Sequence, residues 1–423
     1  ASVSDTAMTK LIDHRPNPMV LTSGADILAQ QQAQNLSKWT GAAARDCKLH
    51  KVVEKAAKEA AQVGTGAYRT FERNGRPAAE IAFCDHIYVD HLEAYNDAVL
   101  TYYQERYVDR GELARMFPKK KAEVKDAKGA PSADAAGTPE ASQGTSDMVL
   151  VVQAWRCALS DAPEDEGRFI IGTSAGVLQD EPYKSEDAPF TFIRWRERSR
   201  SFWGIGLVEM LAGAQEQLDA HTETIDASLD ALPPAIIARK GTIKRGQMND
   251  GIVRVYEVDG SPGDVQLWAP GDAAVAGHGR RESKLEETIF HLAGVSGMEA
   301  GAQKPAGLNS GRALQVHQDV KSQRLLMQAR DIEDAYTDGF RRLILVADAI
   351  WEGRKDDDSA GKDRMRYLAG DGDEVEELTY GDVRIADALY RVQVFPVSKL
   401  ADSPSGRFDR VHELIQSQLL DAE

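Results

Sequence analysis

The polar and apolar positions of this chain follow two different periods, and the switches between them divide its second half into segments. Apolar residues recur at helical spacing over residues 204–232 and again over residues 278–296. Two prolines end the first segment, because proline cannot continue a helix. Residues 233–277 lie between the two segments and show short strand-like runs separated by glycines and prolines. The pattern predicts two helices that could stand antiparallel, with a small β-rich insert between them.

A glycine-rich loop and a very long helix are predicted next. Residues 297–311 contain four glycines and one proline but only two sizeable apolar side chains, so we expect a mobile loop that cannot form core. Asn309 or Ser310 can cap a helix over residues 312–352, where the apolar stripe resumes. At about 1.5 Å per residue this helix would exceed about 55 Å, which is well beyond an average globular helix.

The first half of the chain predicts a mixture of helices and strands. Residues 1–22 are polar, and we expect a flexible arm or a strand lying on a neighbouring subunit. Helices are predicted over residues 23–38, 40–63, 97–106 and 111–117, and strands over residues 68–71, 80–83, 86–91, 148–159, 168–172 and 190–195. These strands indicate a mixed sheet joined to the helices.

Other segments predict loops and a return to the sheet. Residues 119–147 begin with lysines and continue with Gly, Ala, Pro, Ser and Thr, and Val124 is their only sizeable apolar residue, which predicts a solvated, disordered loop. The acidic runs at residues 356–358 and 371–377 predict solvated loops. A strand is predicted over residues 390–397 and a final amphipathic helix over residues 406–420.

The order of two helices around a β insert, a glycine-rich loop and a long helix resembles the portal proteins of tailed bacteriophages. Four local stretches strengthen the resemblance, most of all to short-tailed phages. They are Ala-Lys-Glu-Ala-Ala-Gln-Val-Gly-Thr-Gly-Ala-Tyr at residues 57–68, Arg-Tyr-Val-Asp-Arg-Gly-Glu-Leu-Ala-Arg-Met-Phe-Pro at 106–118, the Arg-rich strand leading into Phe-Trp-Gly-Ile-Gly-Leu-Val-Glu at 190–209, and Ser-Pro-Ser-Gly-Arg before the last helix at 403–420. The resemblance covers roughly residues 45–423, and its weight rests on the order of the elements rather than on one motif.

The resemblance implies an α+β, portal-type elongated subunit that assembles into a ring. Its parts would be an N-terminal arm (1–22), an α/β wing (23–203), a first stem helix (204–232), a clip (233–277), a second stem helix (278–296), a tunnel loop (297–311), a long wing helix (312–352), wing return strands (353–400) and a C-terminal helix that begins a crown (401–423). The ring would have twelve subunits at one capsid vertex. Such a protein is made in the host cytoplasm and resides in the virion.

The resemblance also implies partners and the residues that would meet them. The partners are double-stranded DNA passing through the ring during packaging and ejection, the terminase, tail adaptor or neck proteins, the major capsid protein and a scaffold, with no membrane. The expected contact residues are Gln303, Lys304, Asn309 and Ser310 of the tunnel loop facing DNA, Arg239, Lys240, Lys244 and Arg245 of the clip for terminase or adaptor, and Leu211, Leu218 and Ile225 of the stem between subunits.

Charge and composition narrow the classes of function. The net charge of −16 argues against a protein that wraps nucleic acid with a basic surface, although it permits DNA to slide through an acidic pore. Three widely spaced cysteines indicate neither a disulfide framework nor a zinc site. The chain has no apolar run long enough to cross a membrane, and its first residues lack the pattern of a secretory signal.

The sequence offers no recognisable catalytic apparatus. It contains no phosphate-binding loop, no Gly-x-Ser-x-Gly elbow and no His-Glu-x-x-His pair. His86 and His91 would lie on opposite faces of a strand, and the acidic run near residue 373 lacks the spacing of a calcium loop. We therefore expect no enzyme activity, no cofactor and no metal. A nuclease-like DNA-handling enzyme and another capsid or neck protein are the alternatives, but the first needs a carboxylate cluster that the sequence does not show.

Overall fold

The computed structural model shows an α+β chain of two compact units. The residues that it describes are 2–12, 16–22, 27–96, 98–129, 147–159, 166–231, 235–241, 254–259, 272–294, 325–353, 365–369, 376–385 and 390–394. The insert unit consists of Ala1–Ala7 and Leu207–Leu325, and the sheet unit consists of Met8–Gly206 and Leu326–Glu423.

The elements alternate irregularly along the described residues. The helices are α1 (Ser2–Ile12), α2 (Ile27–Asp46), α3 (Leu49–Val63), α4 (His91–Tyr95), α5 (Arg110–Met116), α6 (Lys121–Asp126), α7 (Leu207–Ala231), α8 (Asp272–Leu292), α9 (Leu326–Gly353) and α10 (Tyr380–Val383), with 3₁₀ turns at Cys84–His86 and Pro118–Lys120. The strands are β1 (Pro18–Thr22), β2 (Thr65–Arg73), β3 (Arg76–Ala82), β4 (Ile87–Val89), β5 (Thr101–Asp109), β6 (Met148–Arg156), β7 (Arg168–Thr173), β8 (Gly176–Glu181), β9 (Phe190–Arg194), β10 (Ala235–Arg239), β11 (Arg254–Val258), β12 (Arg366–Ala369), β13 (Glu376–Thr379) and β14 (Tyr390–Val394).

Two antiparallel sheets form the frame of the sheet unit. One has the strand order β3-β2-β9 and the other the order β4-β5-β6-β7-β8. The predicted mixed sheet is therefore wrong, because every pairing in these two sheets is antiparallel. Helices α3 and α9 pack against the three-stranded sheet. The short pair α5 and α6 supplies Leu113 and Val124 to a core under the five-stranded sheet.

Helix α9 carries the main apolar stripe of the sheet unit. Its buried residues recur every three or four positions, which is the spacing of one helical face: Ile332, Ala335, Tyr336, Gly339, Phe340, Leu343, Ile344, Ala347 and Ile350. The Tyr68 hydroxyl from β2 donates to the Ala335 carbonyl oxygen. A Cβ at Gly339 would lie 2.5 Å from that hydroxyl, so the helix sits this close to the sheet only because residue 339 has no side chain. The predicted helix start at residues 312–324 lies outside the described residues.

A buried ionic cluster joins the two sheets. Arg69 of β2 is only 7% exposed, and its Nε donates to Glu80 Oε1 at 2.6 Å. Its Nη1 donates to Gln104 Oε1 at 3.1 Å and to Gln153 Oε1 at 2.6 Å, both on the five-stranded sheet. Arg106 Nη1 adds a second donor to Glu80 at 2.7 Å. Burial lowers the pKa of Arg69, and the Glu80 carboxylate opposes that effect. The cluster gives partners to Nε and Nη1 of a charge that would otherwise be costly to bury.

Several sequence predictions for the first half are wrong in instructive ways. A helix was predicted over residues 97–106, but residues 101–109 form strand β5, in which Gln104 is buried while Tyr103 and Tyr107 are exposed. This alternation is the period of a strand. Residues 2–12 form a helix and residues 18–22 form β1, which pairs antiparallel with β14 of the same chain. The N-terminal residues are therefore not a flexible arm or a strand lying on a neighbour.

Other corrections concern segments predicted as loops or given the wrong ends. Residues 118–126 form a turn and α6, because Val124 reaches the core and Arg110 donates to the carbonyls of residues 124, 125 and 127. Residues 130–146 lie outside the described part. Thr40 does not open a helix; it lies inside α2 and donates to the Leu36 carbonyl at 2.7 Å. His86 and His91 lie on a turn and on α4 rather than on one strand, and Glu376 and Glu377 belong to β13.

Other predictions are confirmed. Gly64 ends α3 in the left-handed conformation, and strands β6, β7, β9 and β10 and helices α5 and α7 form where the sequence placed them. Strand β8 was not predicted. Helix α8 begins at Asp272, six residues before the predicted start. Part of the predicted strand at 390–397 is β14, and the predicted helix over residues 406–420 lies outside the described residues.

Four glycines bring two backbone segments into direct contact in the sheet unit. A Cβ at Gly64 would lie 2.4 Å from the Gly204 carbonyl oxygen, and one at Gly206 would lie 2.5 Å from the Gln62 oxygen. A Cβ at Gly66 would meet the Ala56 oxygen of α3 at 1.8 Å. Real Cβ atoms do not approach backbone oxygens so closely, so each of these positions requires glycine. We call these four residues the glycine crossing.

Replacing Gly66 by alanine should destabilise the sheet unit by about 3 kcal/mol, because the new methyl group meets backbone that cannot rotate away. Gly41→Ala is the matched control, since its Cβ would meet only Pro18 at 3.7 Å inside α2. That control should be neutral or slightly stabilising. Urea denaturation followed by circular dichroism measures both variants, and equal midpoints for the two would contradict the close approach.

Candidate functional site

The insert unit is a helix, a pair of strands and a second helix. Helices α7 and α8 pack against each other. Strands β10 and β11 pair in parallel, with Ala235 opposite Arg254 and Arg239 opposite Val258. The described part of this unit therefore has the helix, β insert and helix order that the sequence predicts.

Helix α7 keeps its apolar stripe largely unburied. Leu211, Leu218 and Ile225, the predicted subunit-contact residues, are seven positions apart and each is half-buried. Leu207 is buried, but no side chain from residue 208 to residue 227 is. Val208 is 64% exposed. So little burial over residues 208–227 is unusual for a helix of a folded monomer, because helices in water are stabilised mainly by packing.

The predicted docking residues are only partly within the described chain. Arg239 and Lys240 are both exposed at the end of β10. Lys240 Nζ lies 3.3 Å from Asp259 Oδ1, so part of its charge is offset within the insert. Lys244 and Arg245 lie outside the described residues. So do the predicted tunnel-loop residues, Gln303, Lys304, Asn309 and Ser310.

A cleft in the sheet unit collects carboxylates that sequence reasoning missed. Its volume is about 330 Å³, and its lining includes Phe190, Phe192 and four carboxylates, those of Glu197, Asp331, Asp334 and Asp338. Burial, together with the nearby charges of Glu197 and Asp334, raises the pKa of Asp331. Glu197 follows strand β9 and the other three carboxylates lie on α9, more than 130 positions later in sequence, so only the fold brings the four together. The hydroxyl of Thr191, which also lines the cleft, donates to Asp338. The same carboxylate oxygen accepts from Arg342 Nε at 2.6 Å, so Asp338 is held in an ion pair on α9.

No other catalytic or metal-binding arrangement is found in the residues that the structure describes. Among them, no three His, Cys, Asp or Glu side chains stand close enough together to hold a metal ion. No helix in the same part of the chain is both long and apolar enough to cross a membrane. Burial raises the pKa of the Cys47 and Cys157 thiols to about 11 and that of Cys84 to about 12. These thiols are therefore poor nucleophiles at neutral pH.

Comparison of the sequence with known protein families finds none that matches, and comparison with characterised proteins finds none either. The argument for a function therefore rests on the order of the elements and on what each of them leaves exposed.

The cysteine environment predicts slow alkylation. At pH 8 a thiol whose pKa is about 12 is ionised about a thousandfold less than one at 9.0, the ordinary value. Cys84 should therefore react with iodoacetamide at least about a hundredfold more slowly in the native protein than in urea. Peptide mass spectrometry of timed samples measures this for each cysteine. Equal native and unfolded rates at Cys84 would show that its thiol is neither desolvated nor held by Glu59.

Proposed function

We propose that this chain is the subunit of a phage portal ring, the channel through which double-stranded DNA enters and leaves a capsid. The observation that carries the proposal is helix α7, whose apolar stripe is only partly covered by the residues that the structure describes. A helix of this kind is expected where copies pack side by side around an axis. Its position before a β insert and a second helix agrees with the stem and clip of the portal family.

The ring itself follows from symmetry. An interface that uses the same patch on both partners stops at a dimer, whereas two different patches can continue and close into a ring. The insert offers such a difference, since α7 and α8 carry unlike surfaces. Helix α7 has no Lys or Arg, while α8 contains Arg280, Arg281 and Lys284 beside its carboxylates. We propose twelve subunits on the family resemblance alone.

The remaining partners are proposed by the same resemblance. The end of the insert, with Arg239 and Lys240 exposed, would dock the terminase during packaging and the tail adaptor afterwards. The sheet unit would seat the ring against the major capsid protein and a scaffold. The alternative of a nuclease-like enzyme has no support among the described residues, which lack a metal-holding cluster. The other alternative is a different ring-forming capsid or neck protein, which would explain the partly uncovered apolar stripe of α7 equally well.

Leu218→Asp should disrupt the assembly, because a carboxylate in a stripe buried between copies must lose its water. Native mass spectrometry of the wild type should show a closed ring near twelve times 46.3 kDa, and the variant should give monomers or open aggregates. Gln217→Asp is the control, since it adds the same charge at an exposed neighbouring position of α7. A monomeric wild type would refute the proposal, and intact Leu218→Asp rings would refute the role of the stripe.

Replacing Arg239, Lys240, Lys244 and Arg245 by serine should leave rings intact and weaken docking of terminase or adaptor. The loss should be larger at low salt, where charges are less screened. Lys240 alone should contribute least to docking, because Asp259 already offsets its charge. Surface plasmon resonance across a salt series measures the effect, and an unchanged affinity at every salt concentration would assign the cluster to plain solvent exposure.

A further inference from the structure

Four lysines form a straight line along the outer face of helix α3. Lys48, Lys51, Lys55 and Lys58 are three, four and three positions apart, so they share one helical face, and all four are exposed. The opposite face of α3 is buried against the sheet unit. We call these residues the lysine stripe. It is about 15 Å long at 1.5 Å per residue.

The charges of the lysine stripe are poorly compensated. Lys58 lies 3.2 Å from Glu54, but no carboxylate of the described residues lies within ion-pair distance of Lys48, Lys51 or Lys55. The nearby acids have other partners. Asp46 pairs with Arg76 at 3.7 Å, and Glu59 Oε1 accepts hydrogen bonds from Cys84. The stripe is thus a local excess of positive charge on a chain whose net charge is −16.

The arrangement is unfavourable for the helix itself. Neighbouring lysines at these spacings repel one another. Lys48 and Lys51 lie at the positive end of the helix dipole, where acidic residues are preferred, and the first turn of α3 has no acidic residue. Lys48 also adopts a left-handed conformation, with φ of 56°, and provides no side-chain cap. Several unfavourable local features in one short segment, such as this row of like charges and the missing cap, are expected where the side chains bind a partner.

The chemistry of the stripe fits a duplex phosphate backbone. Its 15 Å length corresponds to about four successive phosphates of one DNA strand, since these are about 3.4 Å apart along the axis. The exposed positions of α3 carry no aromatic ring on which an unpaired base could stack. Flexible lysines without aromatic neighbours contact phosphates and do not read sequence. The net negative charge of the rest of the chain keeps such lysine–phosphate contacts weak.

We propose that the lysine stripe of α3, on the sheet unit, is a sequence-independent binding surface for double-stranded DNA, distinct from the acidic helix α7 of the insert unit. The inference rests on the proposed function, because the ring is what brings DNA to the protein. In a packaged capsid this surface would hold duplex against the ring through four phosphates. The low number of contacts and the acidic remainder of the chain make the binding reversible and strongly dependent on salt.

The test uses the full chain and closed circular duplex DNA, which cannot thread a closed ring and therefore reports only outer surfaces. The binding constant is measured over a salt series for the wild type and for Lys51→Gln/Lys55→Gln. Losing two phosphate contacts should make the slope of log affinity against log salt about 1.8 less steep. Lys51→Arg/Lys55→Arg should restore the slope, since it keeps both charges.

Lys121→Gln/Lys125→Gln is the matched control. These lysines are also exposed and four positions apart on a helix, but Glu123 and Asp126 accompany them on α6. The control should leave the salt slope unchanged. Equal losses from both double variants would show a general effect of net charge and overturn the proposal, as would an absence of wild-type binding to the closed circle.

Native mass spectrometry of the same proteins separates this inference from the proposed function. If the wild type forms intact rings and the Gln variant binds DNA as the wild type does, the lysine stripe is not the binding surface. The proposed ring is then unaffected. Rings lost only in the Gln variant would assign the stripe to contacts between copies, which also overturns DNA binding there. If the wild type forms no ring, the proposed portal function is refuted, whatever the DNA-binding measurements show.

Discussion

The sheet unit depends on the glycine crossing, where two backbone segments touch with no side chain between them. The amide of Trp195 donates to the Gly64 carbonyl at 3.0 Å, and the amide of Gly204 donates to the Thr65 hydroxyl at 2.8 Å. Such contacts are possible only because Gly64 and Gly204 lack Cβ atoms. The crossing fixes the C-terminal end of α3, the first residues of β2 and the position of Gly206, after which α7 begins. One steric condition thus decides where the insert leaves the sheet unit.

The same crossing explains how α3 can carry an unfavourable row of charges. Its N-terminal end contributes little, because Lys48 provides no side-chain cap and the first turn has no acidic residue. Stability comes instead from the buried face, where Leu49, Val53 and Ala56 are fully inaccessible, and from the close approach of Gly66. Tertiary packing therefore outweighs local propensity. The outer face is then free to carry side chains that a less firmly held helix could not tolerate.

Sequence reasoning succeeded where the signal was local and repeated, as in α7, whose stripe and proline stop define it. It failed where contacts with residues distant in sequence decide the secondary structure. A strand, β5, forms in place of the helix predicted over residues 97–106 because pairing with β4 and β6 decides this segment. Helix α6 is not predicted because a single apolar residue, Val124, is too weak a pattern. The pairing of β1 with β14 joins residues more than 360 positions apart. The glycines of the crossing are visible in the sequence, but they look like ordinary loop residues, and nothing local shows which backbone they touch.

The two charged surfaces of the molecule suit opposite tasks. Helix α7 contains six carboxylates, Glu209, Glu216, Asp219, Glu223, Asp226 and Asp230, and no Lys or Arg. In the proposed ring these helices would repel phosphates, so a duplex could slide without being held at fixed points, since each cation bound to phosphate adds affinity and friction. The lysine stripe on α3 has the reverse character and belongs to the other unit of the chain. The proposed portal would need both properties, and because they are opposed they cannot share one surface. With the acidic helix in the insert unit and the basic helix in the sheet unit, the proposed ring could let DNA slide past one helix and hold it at the other.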